Sequence, residues 1–178
     1  MDDVHFPELF TNRLVLRALE PSDWEEILFL RSDKAVNQFI NRPPERQTTN
    51  RTQALEFIER INSEKNTVEW LYWCINLKDN PLTIGTICLW NFTSESESAE
   101  LGYDLHPKFQ GQGIMSEAIE KVIDFGFHSL NKIRIEAFTH KDNRSSIQLL
   151  NRHNFKINTN RRDAKNENNQ IFELILKE

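Results

Sequence analysis

The chain has 178 residues, which predicts a single domain, and its 22 basic and 27 acidic side chains give a net charge of −5. This acidic balance disfavours broad nucleic-acid binding and accommodates a basic partner more easily. The chain has two cysteines, each inside an apolar run, and no apolar stretch approaches the ~18 residues that would span a membrane. The N-terminus also lacks the features of a signal peptide, so we expect a soluble, cytoplasmic protein that binds neither nucleic acid nor a membrane.

Apolar spacing predicts alternating strands and helices in the order βααβββαβαββ. Apolar and β-branched runs predict strands over residues 14–19, 70–77, 82–90, 99–105, 132–138, 155–159 and 171–176. Helical spacing predicts one helix that starts at Pro21-Ser22-Asp23 and three more over about 52–63, 114–129 and 145–153. The pattern has no internal repeat and no linker, so we expect one domain across residues 1–178.

A glycine loop stands between the strand over 99–105 and the long helix, with the sequence Gln110-Gly111-Gln112-Gly113-Ile114-Met115-Ser116. Glycines allow a tight turn and a close approach of the backbone to a ligand. The first amides of a helix have no partner within it and favour an anion, so a pyrophosphate fits this position. Position 116 is serine where a Rossmann loop needs a third glycine, and no P-loop is present. A plain turn without a ligand stays open on the glycines alone.

The loop resembles the acetyl-CoA loop Gln/Arg-x-x-Gly-x-Gly/Ala of the GNAT superfamily of N-acetyltransferases, with Met115 departing from the small third residue. Residues 11–17 are similar to the opening T-x-R-L-x-L-R of its Rim-type subgroup, which includes ribosomal-protein alanine N-acetyltransferases. Further resemblances in the expected order are Ile84-Gly85-Thr86-Ile87, Ala99-Glu100-Leu101-Gly102-Tyr103, Ser116-Glu117-Ala118, Asn143-Arg144-Ser145-Ser146 and residues 149–155. Together they cover about residues 10–176. Asn154 replaces the glycine before Phe155, at a left-handed position that asparagine tolerates.

The resemblance implies an α/β (α+β) fold, in which a mixed, strongly twisted sheet of about seven strands is flanked by helices. The strands over 99–105 and 132–138 splay apart, and the pantetheine arm of acetyl-CoA lies in the gap. Acetyl-CoA is then the cosubstrate, and no metal is needed. The implied cofactor contacts are Leu105, His106, Gln110, Gly111, Gln112, Gly113, Ile114, Met115, Ser116 and Asn143.

Two catalytic candidates follow. Glu100 shares a strand face with Gly102 and Asp104, and the resemblance makes it a general base; the alternative is a solvated or ion-paired glutamate. Ser146 matches the family serine near the sulfur of CoA, where it would assist the departing thiolate; the alternative is local helix capping. Direct transfer to an amine requires no protein nucleophile.

Four other features of the sequence bear on the site. Glu136 could orient the amine, although pairing with a basic side chain is favoured, and Tyr103 is a second possible proton donor that its strand alternation places in the core. Arg161 and Arg162 lie in a polar loop and are predicted to be solvated. The acceptor site is expected to involve residues 39–52 and 160–169.

The leading hypothesis is an N-acetyltransferase that acts on a primary amine, for example the N-terminal amine of a ribosomal protein. One alternative is acetylation of a small molecule such as a polyamine, an amino acid or an aminoglycoside. Another is a non-catalytic CoA-binding regulatory module. The resemblance also makes a homodimer plausible, whereas the sequence leaves the acceptor and the oligomeric state open.

Overall fold

The computed structural model describes residues 6–40, 42–64, 70–92 and 96–176. Its strands are β1 Leu9–Phe10, β2 Leu14–Arg17, β3 Trp70–Leu77, β4 Asn80–Trp90, β5 Ser98–Leu105, β6 Arg134–His140, β7 Lys156–Ile157 and β8 Asn169–Ile175. Its helices are α1 Trp24–Ser32, α2 Arg51–Glu64, α3 Ile114–His128 and α4 Arg144–Arg152. The predicted order is confirmed, with the two-residue β1 as an addition that makes eight strands among the described residues.

A single mixed sheet contains all these strands in the order β1-β2-β3-β4-β5-β6-β8-β7. Within it β5 and β6 run parallel, and the other neighbouring strands run antiparallel. The parallel ladder is short: it joins Ser98 to Arg134, continues for one more pair and ends where Glu100 meets Glu136. Beyond that pair β5 bonds to β4 and β6 to β8, so the two central strands diverge.

Two apolar layers cover the two faces of the sheet because side chains alternate along each strand. Trp73 of β3 packs in the layer under α3, whereas its neighbour Cys74 packs in the layer under α1 and α2. Both cysteines are buried free thiols, as predicted from their apolar surroundings. None of the helices in the described residues is long and apolar enough to cross a membrane.

The boundaries of several elements differ from those predicted. β2 ends at Arg17 rather than at residue 19, because the carbonyl of Ala18 accepts a hydrogen bond from the Arg17 side chain and the amide of Glu20 donates to the Asp23 carboxylate instead of continuing the ladder. β6 begins at Arg134 rather than at residue 132, because the amide of Lys132 donates to the carbonyl of Gly126 in α3 instead of to a neighbouring strand. The prediction for Asn154 is confirmed: its φ is +64°.

Candidate functional site

A gap opens between β5 and β6 beyond Glu100, and the predicted cofactor residues lie around it. The buried Leu105 ends β5, and its carbonyl accepts a hydrogen bond of 3.2 Å from the side-chain amide of Gln110. His106 follows, with its ring stacked on Phe29 of α1 at 4.4 Å between centroids. The end of β5 at the gap is therefore tied directly to the start of the glycine loop.

The glycine loop ends in the N-terminus of α3. Gly111 and Gly113 have φ values of +73° and +74°, a region that other residues rarely adopt, and Gly113 is the N-cap. The first backbone bond of the helix runs from the amide of Glu117 to the carbonyl of Gly113. The amides of residues 114–116 consequently have no partner inside the helix. At Gln110 the backbone amide donates to the carbonyl of Pro107 in the preceding turn, whereas the side-chain amide donates to the carbonyl of Leu105 on β5.

An anchor that the sequence motifs do not reveal holds this loop to the N-terminal segment. The carboxylate of Glu117 accepts hydrogen bonds from the hydroxyl of Thr11 at 2.5 Å and from Nε of Arg13 at 2.7 Å. Arg13 also donates to the carbonyl of Gln112 at 3.1 Å, and its Nη2 would lie 3.5 Å from a Cβ at Gly113. This places a half-exposed cation beside the predicted diphosphate position. Thr11 and Arg13 belong to the T-x-R-L opening, but that motif does not show that their partner is Glu117.

The side chains in the first turn of α3 divide into two groups. Ile114 and Met115 are buried in the core, so they can offer a ligand little besides their amides. The hydroxyl of Ser116 lies 2.7 Å from Nε2 of His153, at the end of α4. Burial lowers the pKa of His153, which favours the neutral ring beside this hydroxyl. The contact ties the predicted phosphate-binding turn to α4.

The N-terminus of α4 carries the second predicted pair. Oδ1 of Asn143 accepts a hydrogen bond of 3.2 Å from the amide of Ser146, so Asn143 caps the helix. The hydroxyl of Ser146 lies 2.8 Å from that of Tyr103 on β5. Burial is the main cause that raises the pKa of Tyr103 to about 12, and the contact with Ser146 opposes it. The Tyr103 hydroxyl therefore stays protonated at neutral pH and supports Ser146.

Glu100 lies on the opposite face of β5 from Tyr103 and Ser146. Burial raises the pKa of its carboxyl group, the negative charge of Glu136 raises it further, and a hydrogen bond of 3.2 Å from the Asn91 side chain opposes both. The structure thus presents a raised-pKa carboxylate on one side and a hydroxyl pair on the other.

Glu136 belongs to an ion-pair network. Its buried carboxylate pairs with Arg161 from the loop before β8, and Nε of Arg134 lies 3.2 Å away. The predicted pairing of Glu136 with a basic side chain is confirmed. The prediction of a merely solvated Arg161 is wrong, because the loop folds back over the sheet and brings this guanidinium to the carboxylate.

Both segments expected to form the acceptor site reach the face of the sheet that carries Glu100. The ring of Phe39 stacks on His140 of β6 at 5.3 Å between centroids, and Arg42 approaches Asp104 of β5. Arg161 brings the second segment to Glu136. Of residues 39–52, position 41 lies outside the described residues.

The site offers groups for acid–base chemistry rather than a reactive thiol. Burial raises the pKa of both Cys74 and Cys88 to about 12, so their thiolates are scarce at neutral pH. Across the part of the chain that the structure describes, no group of three or more His, Cys, Asp or Glu side chains could hold a metal ion.

Comparison with known proteins agrees with this architecture. Residues 13–156 match the family described as the acetyltransferase (GNAT) domain. The uncharacterized N-acetyltransferase p20 of Bacillus licheniformis is 34% identical over 168 residues, which cover 94% of this chain and 93% of that protein. The chain belongs to the GNAT family and is an N-acetyltransferase.

Solved structures extend the similarity to the fold. RimL, a ribosomal alpha-N-protein acetyltransferase solved with coenzyme A, is 18% identical with a TM-score of 0.82, over 96% of this chain and 98% of that one. The microcin self-immunity acetyltransferase MccE, solved with acetyl-CoA and AMP, is 20% identical with a TM-score of 0.78, over 93% and 94%. The expected GNAT fold and family are confirmed.

Proposed function

We propose that this chain transfers the acetyl group of acetyl-CoA directly to a primary amine across the gap between β5 and β6. The amine nitrogen attacks the thioester carbonyl, the carbon–sulfur bond breaks, the amine loses a proton, and the CoA thiolate gains one. The observation that carries this proposal is the end of the parallel ladder at Glu100 and Glu136, with a raised-pKa carboxylate at the opening. Acid–base chemistry of this kind needs no covalent enzyme intermediate.

Glu100 is the proposed general base. An amine must be neutral to attack, and amine pKa values run from ~8 at a chain terminus to ~10.4 on a lysine side chain. Burial raises the pKa of Glu100, which makes its carboxylate a stronger base than an exposed glutamate. The proton passes to it directly or through water.

Ser146 is the proposed partner of the departing sulfur. A serine hydroxyl is a weak acid, so its contribution is a positioned hydrogen bond to the developing thiolate. Tyr103 lies 2.8 Å behind it and stays protonated at neutral pH, so the two hydroxyls can act as a chain. Asn143 fixes the turn that presents Ser146.

The proposed cofactor site runs from the end of β5 to the N-terminus of α3. Leu105 and His106 would flank the pantetheine arm at the gap, together with Asn143. The diphosphate would lie on the amides of residues 111–116, and the half-exposed Arg13 adds positive charge beside them. Acetyl-CoA supplies the activated acyl group when bound.

Two classes of acceptor amine are candidates. A protein N-terminal amine is suggested by the ribosomal acceptor that the name of RimL states. A small molecule is favoured by a different observation. Arg42 and Arg161, one from each acceptor segment, pair with carboxylates on the sheet face that carries Glu100, which leaves less room on that face for a large acceptor. The composition favours the cytoplasm, and a homodimer is proposed on the family resemblance.

A thermal-shift titration with acetyl-CoA tests the donor site first, with ATP as the control nucleotide. Ligand at about 100 times its dissociation constant should stabilise the fold by ~2.7 kcal/mol. In the Gly113→Ala variant, which must hold alanine at a φ of +74°, we expect a weaker response. Release of free CoA in the presence of an amine would then establish transfer, whereas a wild-type protein that does not respond to acetyl-CoA would refute the proposal.

A further inference from the structure

A buried charged cluster lies on the same face of β5 as Glu100. Asp104 is four residues further along, which places its Cα about 13 Å away at ~3.3 Å per residue. Its side chain is 7% exposed, and Oδ2 lies 3.8 Å from Nη2 of Arg42. Oδ1 accepts a hydrogen bond of 2.6 Å from Thr86. Asp104 and Arg42 thus mark one end of this strand face, here called the inner end, and Glu100 marks the other, the outer end.

A second guanidinium stands behind this pair. Arg31 is 8% exposed, and it lies over the ring of Phe57 at 3.8 Å from the centroid. Its Nε donates to Thr48 and its Nη2 to the carbonyl of Arg46, both at 2.8 Å. None of these hydrogen-bond partners is an anion, and the carboxylate that acts electrostatically on Arg31 is that of Asp104, which also faces Arg42. Two guanidinium groups therefore share one carboxylate, and this end of the face carries excess positive charge in an otherwise acidic chain.

Gly102 lies between Glu100 and Asp104 and carries no side chain of its own. The sulfur of Cys88 and Nε1 of Trp90 fill the space beside it, 3.0 Å and 3.8 Å from the position of a Cβ. The face between the two ends is therefore lined by Cys88 and Trp90, with a carboxylate at the outer end and guanidinium groups at the inner end. This polarity matches a molecule with an amine at one end and an anion at the other.

We propose that the acceptor is a small molecule bearing both an amine and a carboxylate, with its carboxylate bound by Arg42 and its amine directed to Glu100. The inference rests on the proposed acetyl transfer and names the substrate class of that site. A guanidinium presents a planar fork of donors that matches a carboxylate. Nε of Arg42 donates to Oδ1 of Asn37 at 3.1 Å, which fixes the plane of that fork. Arg31 behind it adds charge.

Acetylation kinetics with matched acceptors test this assignment. Wild-type rates are compared for γ-aminobutyrate, ε-aminocaproate and 8-aminooctanoate against n-butylamine, n-hexylamine and n-octylamine. We expect at least one carboxylate-bearing acceptor to exceed its match without a carboxylate in kcat/KM by about tenfold or more. Arg42→Gln should raise the KM of that acceptor about 10- to 100-fold and affect the match without a carboxylate much less.

Two further variants separate charge from fold. Arg42→Lys keeps the charge but loses the fork, so it should recover part of the affinity. Lys34→Gln also removes a positive charge, at an exposed side chain of the connection between α1 and α2 that lies outside residues 39–52, so it should behave as wild type. Equal rates for each matched pair, an equal loss on every acceptor in Arg42→Gln, or faster transfer to a C-terminally amidated peptide would overturn the inference.

Binding in the presence of CoA keeps this inference separate from the proposed function. Calorimetry with the same six compounds measures recognition without chemistry. Preferential binding of a carboxylate-bearing compound that Arg42→Gln abolishes, but without acetylation of any amine, would support recognition and refute the proposed transfer. Acetylation of amines with no preference for a carboxylate in either assay would leave transfer standing and refute the role of Arg42.

Discussion

The guanidinium of Arg161 pairs with the buried carboxylate of Glu136, directly across the last rung of the parallel ladder from Glu100. One ion pair therefore holds the loop before β8 over the sheet and offsets a negative charge beside the proposed base. Its removal would leave that charge opposed mainly by Arg134. The electrostatics of Glu100 consequently depend on a residue that is distant in sequence.

Replacing Arg161 should change the pH dependence of the reaction. In Arg161→Gln the negative charge of Glu136 acts on Glu100 with less opposition, which raises the pKa of Glu100 further. The acid limb of kcat/KM should therefore move to higher pH. Because the Arg161 side chain is 46% exposed, we expect a loss of about 1 kcal/mol or less in the free energy of unfolding. Arg162→Gln is the matched control, and a shift of the limb in both variants would contradict this coupling.

Removing the proposed base should cost activity without loss of the fold. We expect Glu100→Gln to lower kcat about 10²- to 10³-fold and to abolish the acid limb, with acetyl-CoA binding retained. The folded-state pKa of Glu100 is raised, so any stability it contributes is present at low pH and lost as pH rises through that pKa. The variant should therefore be no less stable at neutral pH. Denaturant unfolding measures this, and Glu97→Gln on the exposed residue before β5 is the control. A kcat within threefold of wild type would remove Glu100 from the mechanism.

The hydroxyl pair of Ser146 and Tyr103 should act as one unit. We expect Ser146→Ala to lower kcat about tenfold, equivalent to one positioned hydrogen bond, with little change in the KM for acetyl-CoA. Tyr103→Phe should lower it less, and the double variant should match Ser146→Ala, because Tyr103 acts through the serine. A double-mutant cycle measures the coupling. Fully additive losses would mean that the two hydroxyls contribute separately.

Local patterns were sufficient to predict most of the fold. Apolar periodicity located the four helices and seven of the strands, and the left-handed Asn154 followed from its place at a helix end. The two-residue β1 was missed because so short a strand has no period of its own. The polar composition of the loop around Arg161 likewise gives no sign that this residue pairs with Glu136. Its contact with Glu136 joins residues 25 positions apart and exists only once the sheet has formed.

The same limit applied to the site. The glycine loop and the residues near Ser146 could be predicted because each has a local motif, whereas the contact of Tyr103 with Ser146 spans 43 positions. Strand alternation placed Tyr103 in the core correctly but gave no information on which hydroxyl it would meet. The inner end of the strand face that carries Glu100 could not be predicted for a similar reason. Arg42 comes from a segment without a motif and meets Asp104 through tertiary packing alone.

A buried ion pair under α1 gives the last prediction, which concerns stability. The carboxylate of Asp23 accepts two hydrogen bonds of 2.8 Å from Arg17, one of 2.8 Å from Thr83 and one of 2.7 Å from the amide of Glu20. Burial alone would raise the pKa of Asp23, but these bonds outweigh it and the pKa is lowered.

The stability that Asp23 contributes is therefore present above the unfolded pKa of ~3.9 and is lost as pH falls through the lower folded-state pKa. Asp23→Asn leaves the guanidinium of Arg17 buried without its counter-charge, so we expect a loss of about 3–5 kcal/mol at pH 7. Urea unfolding at descending pH should show the difference from wild type shrinking as the carboxylate is protonated. Glu25→Gln, an exposed change in the first turn of α1, should cost about 0.5 kcal/mol or less. A loss for Asp23→Asn that is independent of pH would mean that packing, rather than charge, stabilises this corner.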